Sequence, residues 1–334
     1  MTPDNASSVD LVTLTATDLQ IVEALQHDAR QPLTTLAERI GTSEASVRRR
    51  VRALVDADVM AITAVADPRV FGLNALAWLG LSVEAARVES VAEALVELPQ
   101  IDYAVITAGE LNVMAEAACA TTDDLYALVL SLRSLPGVIR TETFPYLRLL
   151  RQNFEWNRAA GGESSTVRAL PGGALQPLDV SLIRALQRNG RASFRELGAA
   201  LGVSERLLSA RYTELADMGA LRVSAVVNPR NLGWNALAWL GIHLAGGADL
   251  EQVAARLAGV ARVSYLVVAS GRYDFMAEVV CRTPDDLVAT LTGPIGEIEG
   301  VASVELFPYL RLLYRTTAGA WSAARSLAGA RGER

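Results

Sequence analysis

No lysine occurs anywhere in the 334 residues; all 31 basic residues are arginine. That absence removes any Schiff-base lysine and any phosphate-loop lysine. Histidine and cysteine are down to two residues each, fewer than the three or four ligands of an ordinary His/Cys zinc site. Two cysteines form no disulfide framework, so a reducing compartment is expected. Aromatic residues make up only 6% of the chain, so the cores must be built mainly of Ala, Leu and Val. The stretch Met1 to Asp10 is polar and carries acids, which is unlike a secretory signal. Charge interrupts every apolar stretch before the ~18 residues a membrane-spanning helix needs. The expectation is a cytoplasmic protein with no membrane partner. No local motif supports a Ser/His/Asp catalytic set, so no catalytic residue, metal or cofactor is assigned. With 51% hydrophobic and 20% charged residues the chain is globular. Its formal charge of −6 means that any nucleic-acid contact must come from a local basic patch.

The chain does contain a repeat. Asn74 to Gly80 reads NALAWLG, and Asn235 to Gly241 repeats it 161 residues later. Phe144 to Leu150 reads FPYLRLL, and Phe307 to Leu313 repeats it 163 residues later. Two single-residue insertions account for the drift, one before Tyr265 and one between Thr292 and Gly300. Asp18 matches Asp179, Arg30 matches Arg191, and Cys119 matches Cys281. Each copy is about 135 residues, too long for a solenoid repeat, so a whole two-part module is duplicated. Residues 157–175 hold Gly161-Gly162, Ser164-Ser165 and Pro171-Gly172-Gly173, which suits a linker. Residues 317–334 are expected to form a fraying tail.

The first part of each module, residues 15–66 and 176–227, has helical periodicity. Leu19, Ile21, Val22 and Leu25 begin a helix for which Asp18 is a suitable cap. Leu33, Leu36, Ala37 and Ile40 form a second. Gly41-Thr42-Ser43 combines a helix-ending glycine with an N-cap serine, and Val47, Val51 and Leu54 form the stripe of a third. Copy 2 repeats the layout through Phe194, Leu197 and Leu201, Gly202-Val203-Ser204, then Leu208, Tyr212 and Leu215. This is the order of a helix-turn-helix, with or without a wing; a dimerisation unit has the same order. On a wheel of 100° per residue, Val51 and Leu54 fall within ~40° of Val47. Ala45, Arg48, Arg49 and Arg52 fall on the opposite side, so three guanidinium groups share one outward face. Phosphates and guanine edges would neutralise such crowding. With Ser43 and Ser46 at the helix start, these residues form the expected face for double-stranded DNA. Arg50 lies at the core border and suits either a structural ion pair with the first helix or a base contact. In copy 2 the corresponding set is Ser204, Arg206, Ser209 and Thr213, with a single basic residue. Copy 1 is therefore expected to dominate binding.

The second part of each module, residues 67–156 and 228–316, changes period. After an extended Met60 to Ala66 come strand Ala75 to Val83, helix Val88 to Leu98, strands Tyr103 to Ala108 and Leu111 to Cys119, helix Asp123 to Leu135, and strand Val138 to Leu150 with Pro145 inside. This is the βαββαβ ferredoxin-like order, and the chain as a whole is classed α+β. Helices cover one sheet face; the other, expected to carry Trp78, Leu76 and Val113 or their neighbours, needs a partner. Two such sheets in one chain can pair as an internal dimer, although pairing between chains has the same pattern. Trp78 and Trp239 suit core or sheet-to-sheet packing. Cys119 and Cys281 suit buried apolar positions.

In this order and twice over, these features resemble the Lrp/AsnC, or feast/famine, family of transcriptional regulators. The matching residues are Asp18, Leu25 to Arg30, Leu36-Ala37, Gly41-x-Ser43, Arg50-Val51 with Leu54, Asp67-Pro68 with Gly72, and Leu135 to Val138. In copy 2 they are Gln187 to Arg191, Leu197-Gly198, Gly202-x-Ser204, Arg211, Asn228-Pro229 with Gly233, and Gly300-Val301. The likeness covers residues 15 to 150 and 176 to 315, where the family usually has one copy per chain. The resemblance implies sequence-specific DNA binding, self-association into dimers or higher oligomers, and a small effector such as an amino acid held near a Gly-x-Tyr/Phe-Asp turn. Copy 2 keeps that turn as Gly271, Arg272, Tyr273 and Asp274. Asp274 is suited to a ligand ammonium and Arg272 to a ligand carboxylate, while a plain hairpin with a solvated Asp274 is the simpler alternative. Copy 1 has Gly109-Glu110-Leu111-Asn112 there, which weakens its case.

Two other functions fit the same architecture. Sirohaem decarboxylases resemble it and depend on His and Arg residues of the sheet domain. Here copy 1 has no histidine after His27, and His243 is isolated. A metabolite-sensing module without DNA binding is the third, and the arginine face disfavours it.

Overall fold

A computed structural model describes residues 14–57, 59–152, 175–227 and 229–314. The expected tail over 317–334, and all of the expected linker except Leu175, lie outside them. The first head contains α1 (Ala16–His27), α2 (Leu33–Ile40) and α3 (Glu44–Asp56), followed by β1 (Met60–Ala66). Its sheet module contains β2 (Ala75–Val83), α4 (Val88–Val96), β3 (Ile101–Ile106), β4 (Val113–Cys119), α5 (Thr122–Arg133) and β5 (Val138–Gln152). The second head contains α6 (Pro177–Arg188), α7 (Phe194–Leu201), α8 (Glu205–Asp217) and β6 (Leu221–Val227). Its sheet module contains β7 (Ala236–Leu244), α9 (Leu250–Gly259), β8 (Val263–Ala269), β9 (Phe275–Cys281), α10 (Pro284–Thr290), β10 (Val301–Pro308) and β11 (Arg311–Tyr314). A π turn over Leu291–Ile295 follows α10. It takes up the second of the two extra residues of copy 2, because an i→i+5 turn absorbs one insertion without shifting the downstream strand.

The heads are joined through their exit strands. β1 and β6 run antiparallel as a two-stranded ribbon, with Thr63 opposite Ser224. Those two residues are 161 apart and equivalent in the repeat, so a local twofold axis passes through the pair. The strand that would serve each head as a wing is paired with its twin instead.

The sheet modules obey the same twofold. Their strands are ordered β10-β7-β9-β8-β5-β2-β4-β3-β11. β5 pairs with β2 as far as Pro145 and then runs along β8 of the other module. The last strand pairs with β7 as far as Pro308 and then, as β11, along β3 of the first module. Proline has no N–H to continue a ladder, so the repeated FPYLRLL marks where each strand leaves home. The two ferredoxin-like sheets thus pair within one chain.

Apolar alternation sets the layers. Ala77, Leu79, Leu81, Val113 and Ala115 pack beneath α4 and α5. Ala238, Leu240, Ile242, Phe275 and Ala277 do so in the second module, beneath α9 and α10. Trp78, Met114, Phe144, Trp239, Met276 and Phe307 belong to the large core between the sheets. Val113 therefore lies on the helix-covered face, and of the expected residues and their neighbours it is Met114 that faces the partner sheet, because β4 pairs with β2 as Trp78–Glu116 and Gly80–Met114, and residues directly opposite share a face. Trp78 and Trp239 meet with ring centroids 4.0 Å apart. Cys119 and Cys281 are both buried. Among the described residues no helix is long and apolar enough to cross a membrane.

Candidate nucleic-acid interface and effector turn

The turn between α2 and α3 is set by three local features. Gly41 takes φ +77° and closes α2 in the left-handed region, where a Cβ would be strained. Ser43 then caps α3 by accepting from the Ser46 N–H at 3.2 Å. Val47, Val51 and Leu54 bury the stripe that aims the opposite side outward. Arg48, Arg49 and Arg52 are all exposed, as is Ala45, with Ser46 half-buried at the flank. Arg48 is paired with Glu44 one turn earlier on the same helix. Such an exposed pair contributes roughly 0.3–0.5 kcal/mol and is readily exchanged for a phosphate. Among the described residues, no ion pair or hydrogen bond turns Arg49 or Arg52 back to the protein.

Arg50 is decided by the first helix. Its Nη1 donates to both oxygens of Asp18, at 2.8 and 2.9 Å. Asp18 is not the cap of α1; Thr15 is, with Asp18 completing a capping box from the third helical position. Burial opposes ionisation of Asp18, but the Thr15 hydrogen bonds and the Arg50 guanidinium outweigh it and hold the carboxyl below its ordinary range. Arg211 repeats the contact on Asp179, from Nε at 2.9 Å and Nη2 at 2.6 Å. Arg50 and Arg211 therefore brace the heads and leave the outward set.

On α8, Ser204 caps the helix through the Leu207 N–H at 3.2 Å. Arg206, Ala210 and Thr213 are exposed and Ser209 is half-buried. The Thr213 hydroxyl donates to the Ser209 carbonyl at 3.1 Å. Leu207 stands 43% exposed beside them, an outward apolar residue that comparing charges between the copies does not reveal.

Reciprocal arginines hold the heads together. Arg30 donates to the Gly190 carbonyl at 2.6 Å and the Ala192 carbonyl at 3.1 Å. Arg191 donates to the Ala29 and Gln31 carbonyls. Thr63 donates to the Gln187 carbonyl and Ser224 to the Gln26 carbonyl, both at 3.0 Å.

The turn of Gly271 to Asp274 is more occupied than either expectation had it. Asp274 Oδ2 accepts the Leu244 N–H at 2.8 Å, which ties the turn to the end of β7. Asn112 holds Val83 in the same way, accepting its N–H at 2.9 Å and donating to its carbonyl at 2.7 Å. The change from carboxylate to amide thus preserves the backbone clamp. Tyr273 is buried and donates to Glu305 at 2.5 Å. A Cβ on Gly241 would meet its ring at 2.5 Å, and one on Gly80 would meet Leu111 at 2.7 Å. The glycine of NALAWLG therefore makes room for the side chain that closes each turn. Arg272 lies among carboxylates: Glu142 at 2.8 Å, Glu110 at 3.5 Å and Glu305 at 3.8 Å. Glu110 and Arg272 are equivalent residues, so the two turns meet near the twofold.

Residue patterns also missed a carboxylate–phenol cluster between the sheets, with Glu278 buried and Glu116 half-buried. Glu116 accepts from Tyr146 at 2.9 Å and from Tyr265 at 2.8 Å. Glu278 accepts from Ser264 and Tyr309, both at 2.6 Å. Burial pushes Glu116 up to about 7, despite the two phenol hydrogen bonds, and raises Glu278 as well. The available signal was a glutamate at the same place in an apolar strand of both copies. Among the described residues no group of three or more His, Cys, Asp or Glu is placed to hold a metal ion.

Comparisons with known proteins come out twice over. The AsnC-type helix-turn-helix domain matches residues 14–55 and 175–216, and the Lrp/AsnC ligand binding domain matches 76–155 and 237–318. An HTH-type transcriptional regulator of Pyrococcus furiosus is 30% identical over 132 residues, which is 39% of this chain and 88% of that protein. Regulatory protein AsnC of Escherichia coli K12 is 28% identical over 129 residues, 38% of this chain and 85% of its own. Each such relative spans about one module. Among solved structures, the siroheme decarboxylase NirDL matches 89% of this chain and 91% of its own, with a TM-score of 0.57 at 19% identity. At that identity the likeness is one of fold.

Proposed function

Because this chain belongs to the Lrp/AsnC family of transcriptional regulators, built twice over, we propose that it is a sequence-specific DNA-binding regulator acting in the cytoplasm. One observation carries the reading: Arg48, Arg49 and Arg52 lie exposed on one face of the second helix of a helix-turn-helix, while the fourth arginine of the run is held by Asp18. Three exposed guanidinium groups in a chain of net charge −6 suit phosphates and guanine edges. Ser43, Ala45 and Ser46 complete the face in copy 1. Ser204, Arg206, Ser209 and Thr213 form a weaker one in copy 2. Binding of genomic duplex fragments, followed by fluorescence anisotropy across a salt series, tests the reading. A linear fall of log affinity with log salt is expected, since each neutralised phosphate releases counterions. Failure to bind any duplex at low salt overturns it, and a porphyrin absorption band in the purified protein would point instead to the decarboxylase chemistry of its structural neighbour.

The effector belongs to the same reading. An amino acid or related metabolite engages the Gly271–Asp274 turn, with Arg272 exchanging Glu142 and Glu305 for the ligand carboxylate. Asp274 acts by holding the turn on β7 rather than by touching the ligand. Calorimetry with amino acids on the full chain and on Arg272→Gln checks this: equal heats from the two proteins remove Arg272 from the site. Whole chains associate further through outward apolar residues of the first module, Tyr126, Leu130 and Ile139, and sedimentation of the full chain measures it.

A further inference from the structure

We propose that the duplex bound by this protein is non-palindromic: two inverted but unlike half-sites, guanine-bearing under α3 and thymine-bearing under α8, both read by one chain. The inference rests on the DNA-binding reading above and adds what the two heads recognise and how they are arranged.

Inversion follows from the seam. Thr63 pairs with its own equivalent Ser224 in an antiparallel ribbon. Arg30 and Arg191 each donate to backbone carbonyls of the opposite head, at equivalent places. These contacts set the heads about a twofold axis, the symmetry that matches inverted half-sites on a duplex. In a dimer of identical chains that symmetry makes the half-sites alike. Here one chain supplies both heads, and their outward faces differ.

The difference is chemical. The outward positions of α3 are Ala45, Arg48, Arg49 and Arg52, and a guanidinium pairs two-pronged with guanine O6 and N7. The same positions of α8 are Arg206, Ser209, Ala210 and Thr213, flanked by the exposed Leu207. Thr213 turns its hydroxyl onto the Ser209 carbonyl, so its donor serves the helix. Arg206 is then a lone guanidinium at the start of α8, and beyond it Ala210 and the Thr213 methyl, with Leu207 beside them, present the apolar groups that contact the thymine methyl, while Ser209 lies half-buried. The complex consequently has a direction along the DNA, with α3 always on the guanine-bearing arm.

Selection from random duplexes with the full chain tests this. The expected product is an asymmetric motif with one guanine-bearing and one thymine-bearing arm. A palindromic motif, or a lone half-site, overturns the inference and leaves the DNA-binding reading standing; no enrichment overturns both. The selected duplex then allows a second measurement on the unaltered protein. Replacing the thymine-bearing arm with an inverted copy of the other should weaken binding at least about fivefold. The graft Ser209→Arg, Ala210→Arg, Thr213→Arg, placed outside the Leu208 and Leu215 stripe, should reverse that preference. Equal binding of both duplexes by the unaltered protein overturns the inference, whatever the graft does.

Discussion

Across their shared seam the two heads make matching contacts, with Arg30 and Arg191 each reaching carbonyls of the other head. On the opposite faces they part: α3 carries three exposed arginines where α8 carries Ser209, Ala210 and Thr213. The contrast shows what a fused pair leaves free. A residue on the seam is bound to a counterpart, so one change leaves buried carbonyls without a donor. A residue facing outward has no twin to satisfy. The sheets give the complementary case. Glu110 and Arg272 are equivalent positions that meet at 3.5 Å. In identical chains this position would set like charges together near the axis, whereas divergence between fused copies allows opposite ones. The crossovers keep their symmetry, with Arg148 on Glu251 at 2.7 Å and Arg311 on Glu89 at 2.9 Å.

The heads are most directly separated by charge removal. Replacing Arg48, Arg49 and Arg52 together with alanine should lower duplex affinity by roughly a hundredfold or more at low salt, while Arg206→Ala costs less than about tenfold. Similar losses in anisotropy titrations would make the heads equivalent. Between the sheets, the comparison runs through pH. The carboxyl of Glu116 is raised on folding, so the native state holds its proton after the unfolded chain has released it. The contribution of this carboxyl to stability is therefore present at low pH and is lost as pH rises from the ordinary carboxylate range through about 7. Glu116→Gln, which keeps an acceptor for the two phenols, should remove this carboxyl's part of the fall and leave that of Glu278. At pH 8 it should gain on the order of 3 kcal/mol in urea unfolding. An unchanged pH profile would show that Glu116 is solvated in the folded chain.

The two glycines of NALAWLG give a smaller contrast. Gly241→Ala drives a Cβ into the ring of Tyr273 and should destabilise by about 1–3 kcal/mol. Gly80→Ala meets only the flexible end of Leu111 and should cost less; the reverse order in thermal unfolding would mean that Tyr273 can leave its site. Smallest is the seam. Arg30 stacks over Phe194 and Tyr212, at 4.5 and 5.2 Å, in addition to its carbonyl bonds. The residues equivalent to those rings in the first head are Leu33 and Val51, so Arg30→Ala should exceed Arg191→Ala by about 1 kcal/mol. Equal unfolding midpoints would remove the aromatic contribution.

Much of this was legible in the residue pattern. The strands Met60–Ala66 and Ala75–Val83 coincide with the expected runs, since hydrophobic periodicity and flanking turn residues act locally. The outward set of α3 followed from helical period alone, because Val47, Val51 and Leu54 leave one side for the core. The role of Arg50 was not legible: its partner Asp18 is 32 residues away, and its angle on the wheel suits two fates equally. Nor was the turn at Asp274, whose carboxylate serves a backbone N–H 30 residues distant. The choice between Val113 and its neighbour Met114 was likewise left open by the sequence and made by the pairing of Gly80 with Met114.

By itself the sequence determined the two modules, their helix and strand order, and the outward arginines of α3, because each depends on neighbours within a few turns of chain. Tertiary structure alone decided that the exit strands of the two heads zip together, that each terminal strand crosses to the other sheet beyond its proline, and that Glu116 and Glu278 are enclosed by phenols between the sheets. Those outcomes depend on which distant surfaces exclude water from one another, and no local spacing encodes that choice.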